Sequence, residues 1–190
     1  MNSPLRPWYA AATPHEDIRE GRLDEAVFAA NVWAVVQGTA PRVYLDAEEF
    51  FRKICMTAGL ATMLAYVSRA LSGEKDAGDR IISLQTAFGG GKTHALVALL
   101  HLSRHADVIR RSPACTAVRE ALRGTVPDAV KAVAVFTNRT CDATQGRQTA
   151  DGIRTRTLWG ELAAQLGGTP HHLSRPQAAT GSRRCCRLGS

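Results

Sequence analysis

The chain has no C-x-x-C pair. Its five cysteines, Cys55, Cys115, Cys141, Cys185 and Cys186, are widely spaced except for the adjacent last two. Such spacing argues against zinc and against a disulfide frame, and it suits buried apolar residues or free thiols. No run of about 18 uninterrupted apolar residues occurs, which argues against a membrane-spanning helix. The opening Met1-Asn2-Ser3-Pro4-Leu5-Arg6-Pro7-Trp8 lacks the apolar core of a signal peptide, so the cytoplasm is the expected compartment. No internal repeat of useful length is present. Acidic residues stop at Glu161, whereas Arg175, Arg183, Arg184 and Arg187 follow. Those four arginines supply more than half of the net charge of +7. The high pI is therefore only a weak argument for nucleic acid, and a disordered basic tail over 169–190 is the plainer expectation.

What remains is ordinary for a globular protein: 190 residues, 45% hydrophobic and 22% charged. That length allows one domain with a real core and a small appendage.

The most informative stretch is Leu84-Gln85-Thr86-Ala87-Phe88-Gly89-Gly90-Gly91-Lys92-Thr93-His94. An apolar segment (Ile81, Ile82, Leu84) runs into a glycine-rich turn, then Lys-Thr, then helix-forming residues from Ala95. Strand, phosphate-cradling loop and helix in that order make the P-loop arrangement. Consecutive glycines let backbone N–H groups approach phosphate oxygens, and the next helix adds unpaired donors at its positive end. Lys92 is expected to reach the β- and γ-phosphates, with the Thr93 hydroxyl on Mg²⁺. The usual pattern has a glycine five residues before Gly91, where this chain has Thr86.

A hydrolytic site also needs a carboxylate at the tip of a neighbouring strand. The second strand candidate, residues 130–137, runs on through Asn138 and Arg139 with no acid, and Asp142 sits further out in a loop. Asn138, Arg139 and Asp142 could face a ligand from a strand end, although a polar loop reads as well. Arg147, Arg154 and Arg156 are read as surface arginines rather than arginine fingers. His101 and His105 are four residues apart, a metal-compatible spacing that lacks the acid of H-E-x-x-H, and His105 suits a helix C-cap better. No catalytic residue is assigned.

Along the chain, Thr13-Pro14-His15-Glu16 has the grammar of a helix start. An amphipathic helix is expected from about Leu23 to Gln37, closed by Gly38. Arg42-Val43-Tyr44-Leu45 reads as extended. Asp46 then caps a helix whose apolar face (Phe50, Ile54, Leu60, Leu64, Val67, Leu71) continues to Leu71, with Gly59 as a point of interruption. The segment after the loop, Lys92 to about His105, is apolar on most faces, as for a helix covered on several sides. A short helix before Leu122, a buried strand at 130–137 and a last helix at 157–166 complete the reading. The expected organisation is a helical lead-in (1–79), the N-terminal part of a nucleotide-binding core (80–168) and the basic tail.

Several blocks together carry a family resemblance: Pro41-Arg42-Val43-Tyr44, Glu49-Phe50-Phe51, Thr57-Ala58-Gly59-Leu60, the glycine-rich stretch, Thr137-Asn138, and Arg156 through Leu162. The chain resembles the N-terminal part of the AAA+-like ATPases grouped as domain-of-unknown-function family 499. These are prokaryotic proteins several times longer, often encoded in anti-phage or DNA-modification clusters. The resemblance implies ATP and Mg²⁺ as cofactors, with Phe88, Gly89, Gly90, Gly91, Lys92, Thr93 and His94 as binding residues and Thr93 on the metal. It further implies DNA or other defence components as partners, and allows an oligomer.

The expected fold class is α/β, a partial P-loop core with a parallel sheet flanked by helices. The expected function is ATP binding with little or no hydrolysis, in a truncated ATPase whose tail after Gly168 follows a shifted reading frame. A nucleic-acid-binding fragment and a non-catalytic interaction module are the alternatives.

Overall fold

The computed structural model describes residues 7–14, 16–21, 29–75, 81–87, 89–128, 130–138, 140, 142, 145–149 and 152–167. The expected basic tail, with its proposed frameshift, lies outside them, as do Phe88, Arg139 and Cys141.

Two short helices, α1 (Trp8–Ala11) and α2 (Glu16–Arg19), come first. Of the helix expected from about Leu23 to Gln37, residues 23–28 lie outside the described residues, 29–31 are not helical, and α3 covers Val32–Gln37. The Asn31 side chain sets that boundary, its Oδ1 accepting from the backbone N–H of Trp33 at 3.0 Å and Ala34 at 3.3 Å. Gly38 closes the helix at φ 73°, a left-handed conformation that glycine adopts freely.

Arg42–Leu45 is a helical turn, α4, and not the extended piece expected. Pro41 precedes it at φ −53°, and its carbonyl accepts from Tyr44 N at 2.8 Å, so the turn begins where proline has already fixed the backbone. Asp46 caps α5 (Ala47–Lys53) as expected, with Oδ1 accepting from Glu48 N at 2.9 Å and Glu49 N at 3.1 Å. The chain then breaks at Ile54, and Thr57 caps a new helix, α6 (Ala58–Leu71). Gly59 lies inside that helix rather than interrupting it.

Helix α7 (Lys92–Arg104) follows the glycine loop and makes contact with α3, α6 and α8 (Ala106–Arg111). A 3₁₀ turn (Pro113–Cys115) leads into α9 (Thr116–Ala121). One core cluster joins the helices on both sides of the loop, from Val35, Tyr44, Phe50, Phe51 and Leu64 to Val97, Leu102, Ile109 and Val118.

The parallel sheet is not there. Among the described residues the only sheet is a two-residue antiparallel pair, β1 (Arg147–Gln148) with β2 (Arg154–Thr155), and the structure is mainly helical. The expected α/β P-loop core is therefore wrong for this chain. Residues 81–87 carry no ladder, and Ile81 is 88% exposed, so this apolar run is not a buried strand. Residues 130–137 are also unladdered, with Val133 and Val135 packed against the helical core. Val135 has both of its backbone groups taken by one side chain. Gln165, on α10 (Leu158–Gly167), accepts from Val135 N at 2.8 Å and donates to Val135 O at 2.9 Å. β-branched content reports a half-buried extended segment, and that is satisfied here by helices and an amide instead of neighbouring strands.

Gln165 also donates to the buried carboxylate of Glu161 at 2.7 Å. Arg147 donates to Glu161 Oε1 from Nε at 2.9 Å and from Nη2 at 2.6 Å, and Thr155 Oγ1 donates to Oε2 at 2.6 Å. Burial alone would raise this carboxyl, but the donors from Arg147, Thr155 and Gln165 hold it below the usual carboxylate range. Arg147 is therefore a structural cation, its guanidinium also lying 5.5 Å from the Trp33 ring centroid. Arg154 and Arg156 remain exposed.

His101, on the buried face of α7, donates from Nε2 to the Tyr44 carbonyl at 2.9 Å, while its Nδ1 has no partner among the described residues. Burial, aided by the positive charges of His105 and Arg104, lowers its pKa to about 4, outweighing the Tyr44 carbonyl and Asp46, which favour the charged ring. The unfolded chain takes up this proton near 6.5 and the folded chain only near 4. Stability is thus full above 6.5 and falls as the pH drops towards 4, by up to about 3 kcal/mol. Urea midpoints at pH 7 and pH 4.5 should show this loss, and His101→Phe should flatten the pH dependence in that window.

Candidate functional site

The glycine loop builds one wall of a cleft of about 650 Å³. Gly89 and Gly91 have φ of 79° and 76°, values that side-chain-bearing residues adopt only with strain. Gly90 is required for another reason. A Cβ there would lie 2.5 Å from Thr86 Oγ1 and 2.7 Å from Thr86 Cβ, because the threonine side chain rests on the Gly90 backbone. Gly91 is also the N-cap of α7, its carbonyl accepting from Ala95 N at 2.9 Å.

Lys92 lines the cleft but turns back onto its own loop. Its ammonium donates to Thr86 O at 2.9 Å, Thr86 Oγ1 at 3.0 Å and Ala87 O at 3.0 Å. Three donors meet three oxygens, which is the capacity of an ammonium group. His94 lines the cleft one helical turn behind the loop, and its Nε2 lies 3.3 Å from Tyr44 Oη. The Tyr44 ring meets it edge-on at 5.5 Å and the Phe50 ring stacks at 6.4 Å.

The opposite wall comes from the end of α5 and the start of α6. Ile54, Leu60 and Met63, with Leu84 from the loop side, give it an apolar surface. Lys53 stands at its rim, ion-paired to Glu49 at 3.1 Å. No aspartate or glutamate lines the cleft among the described residues.

Of the residues expected at the site, the structure brings Gly89, Gly90, Gly91, Lys92 and His94 together around this cleft. Thr93 is half-buried and is not among the lining residues, and Phe88 lies outside the described residues. Asn138 and Asp142 do not line it either. Asp142 Oδ1 accepts from Gln145 N at 2.7 Å, fixing a turn closed by the Asp142–Gly146 bridge. No group of three or more His, Cys, Asp or Glu side chains is placed to hold a metal among the described residues. Sequence reasoning did not find Thr86 as a ligand of Lys92, Tyr44 as a partner of His94, or the apolar wall. The Thr86 contact was the most accessible of these, since a threonine in place of a loop glycine must put its side chain somewhere.

A family model described as the DUF499 N-terminal domain matches residues 9–170. No curated protein and no solved structure matches the chain.

The Thr86–Gly90 contact gives a steric test. Gly90→Ala should cost about 1 kcal/mol or more in unfolding free energy, since the threonine or the loop backbone must move. Thr86→Gly made in the same chain should recover much of that loss in a double-mutant cycle.

Proposed function

Since the chain belongs to the DUF499 family, through its N-terminal domain, we propose that it binds ATP with Mg²⁺ in the cleft beside Gly89–Thr93. The observation that carries this reading is the placement of Lys92 and two left-handed glycines on one wall of a cleft whose other wall is apolar. The left-handed glycine backbone, the N-terminus of the 13-residue α7 and the Lys92 ammonium together suit a polyphosphate. The wall of Ile54, Leu60, Met63 and Leu84 suits the flat, weakly polar face of a base.

The donor set fits a magnesium ion that arrives with the triphosphate rather than one caged by the protein. Thr93, the hydroxyl expected on the metal, adjoins the cleft without lining it, so phosphate oxygens and water would supply most ligands, and no carboxylate lines the cleft among the described residues. With no carboxylate in the cleft among the described residues to orient an attacking water, the reading is of binding with little or no hydrolysis. The wider role, as an ATP-handling part of a phage-defence or DNA-modification assembly, follows the family resemblance.

Calorimetry with ATP-Mg²⁺ tests the reading. Saturable binding should appear in the wild type, and Lys92→Ala should weaken it at least about tenfold, the worth of one charge-assisted contact. A folded wild type that does not bind would sink the proposal. Phosphate release should stay near the level of the Lys92→Ala variant, and a clear excess would show that a hydrolytic group lies elsewhere.

A further inference from the structure

The residue that breaks the usual loop pattern is also the one that holds the loop's lysine. Thr86 stands where a glycine is customary, and it supplies two of the three oxygens around the Lys92 ammonium. Its carbonyl would be present whatever the residue. Its hydroxyl is an acceptor that glycine cannot provide, and it saturates the lysine's third donor. The side chain is itself fixed by resting on the Gly90 backbone, close enough that any Cβ at Gly90 would collide with it.

We propose that Thr86 is a positioning residue that sets the affinity of the cleft by holding Lys92 against its own loop through the Thr86 hydroxyl. The inference rests on the nucleotide reading above, because it takes a phosphate as the competitor for the ammonium. A phosphate oxygen entering the cleft must displace Lys92 from these oxygens before it gains the contact, so the apparent affinity is lowered by the strength of the self-contact. A glycine in this position leaves the lysine with a vacant donor, free to meet phosphate. Threonine therefore makes the empty loop self-satisfied and demands a ligand that offers more than one charged oxygen.

Thr86→Val tests this with little change of shape, since it keeps the branched Cβ and removes only the hydroxyl. Thr86→Ser keeps the hydroxyl and serves as the rescue. The first readout needs no nucleotide: the rate at which a small water-soluble active ester acylates Lys92, followed at that residue by mass spectrometry. Thr86→Val should raise this rate several-fold, and Thr86→Ser should match the wild type. The second readout is calorimetry with ATP-Mg²⁺, where Thr86→Val should bind about three- to tenfold more tightly, the value of one hydrogen bond.

An unchanged acylation rate in Thr86→Val would overturn the proposal. Faster acylation with weaker ATP binding would also overturn it, by showing that the hydroxyl serves the bound state. If acylation is faster but no variant binds ATP, the hydroxyl's hold on Lys92 is upheld and the nucleotide reading fails, so the two ideas fall separately.

Discussion

Everything around the cleft depends on how α7 grips the Tyr44–Phe50 pair. His94 and His101 are seven residues apart, two helical turns, and so lie on one face of α7. His94 meets the Tyr44 hydroxyl at 3.3 Å, and His101 donates to the Tyr44 carbonyl at 2.9 Å. The Phe50 ring lies against both imidazoles, 6.4 Å from His94 and 5.2 Å from His101. One tyrosine is thus held at both its ends by one helix. This fixes α4 and α5 against α7, and hence the Ile54 wall opposite the glycine loop. Burial keeps the His101 ring neutral well below its ordinary range, although the Tyr44 carbonyl accepts from its Nε2–H in either state.

The two walls are matched in chemistry as well as in position. The loop presents a cation and flexible backbone, whereas the facing wall presents hydrocarbon and a lysine already paired with Glu49. A cleft lined by lysines, with no carboxylate among the described residues, favours an anion with an apolar part over a free cation. Three arginines elsewhere are committed to internal contacts. Arg110 donates to Val126 O at 3.1 Å and Pro127 O at 2.9 Å, Arg119 donates to Ile109 O at 2.9 Å, and Arg147 is paired with Glu161. These three cations tie loops to helices rather than standing free at the surface.

The parts of this architecture that were legible in the sequence are those written in local chemistry. Asp46 is a capping residue whose side chain reaches backbone groups two and three positions on, so sequence spacing nearly specifies the contact. Gly89 and Gly91 sit where the backbone turns left-handed, and a run of glycines before Lys-Thr marks such a turn. The sheet was misread because Val-rich stretches and short apolar runs mark burial of an extended chain without naming what buries it. Residues 81–87 and 130–137 both have the composition of strands, yet only Val133, Val135 and Leu84 meet the core, and helices cover them. Contacts across long sequence separations, such as Tyr44 with His94, leave no periodic signal at all.

The way Gln165 treats Val135 has a consequence for how this chain lives among others. An extended segment whose N–H and C=O groups point outward is a template on which a second chain can lay a strand. At Val135 both groups are already bonded to a single amide, at 2.8 and 2.9 Å. The side chain occupies the place a stranger's backbone would take, and it is itself braced by the buried Glu161. One glutamine thereby withdraws Val135 from the backbone groups on which another chain could pair.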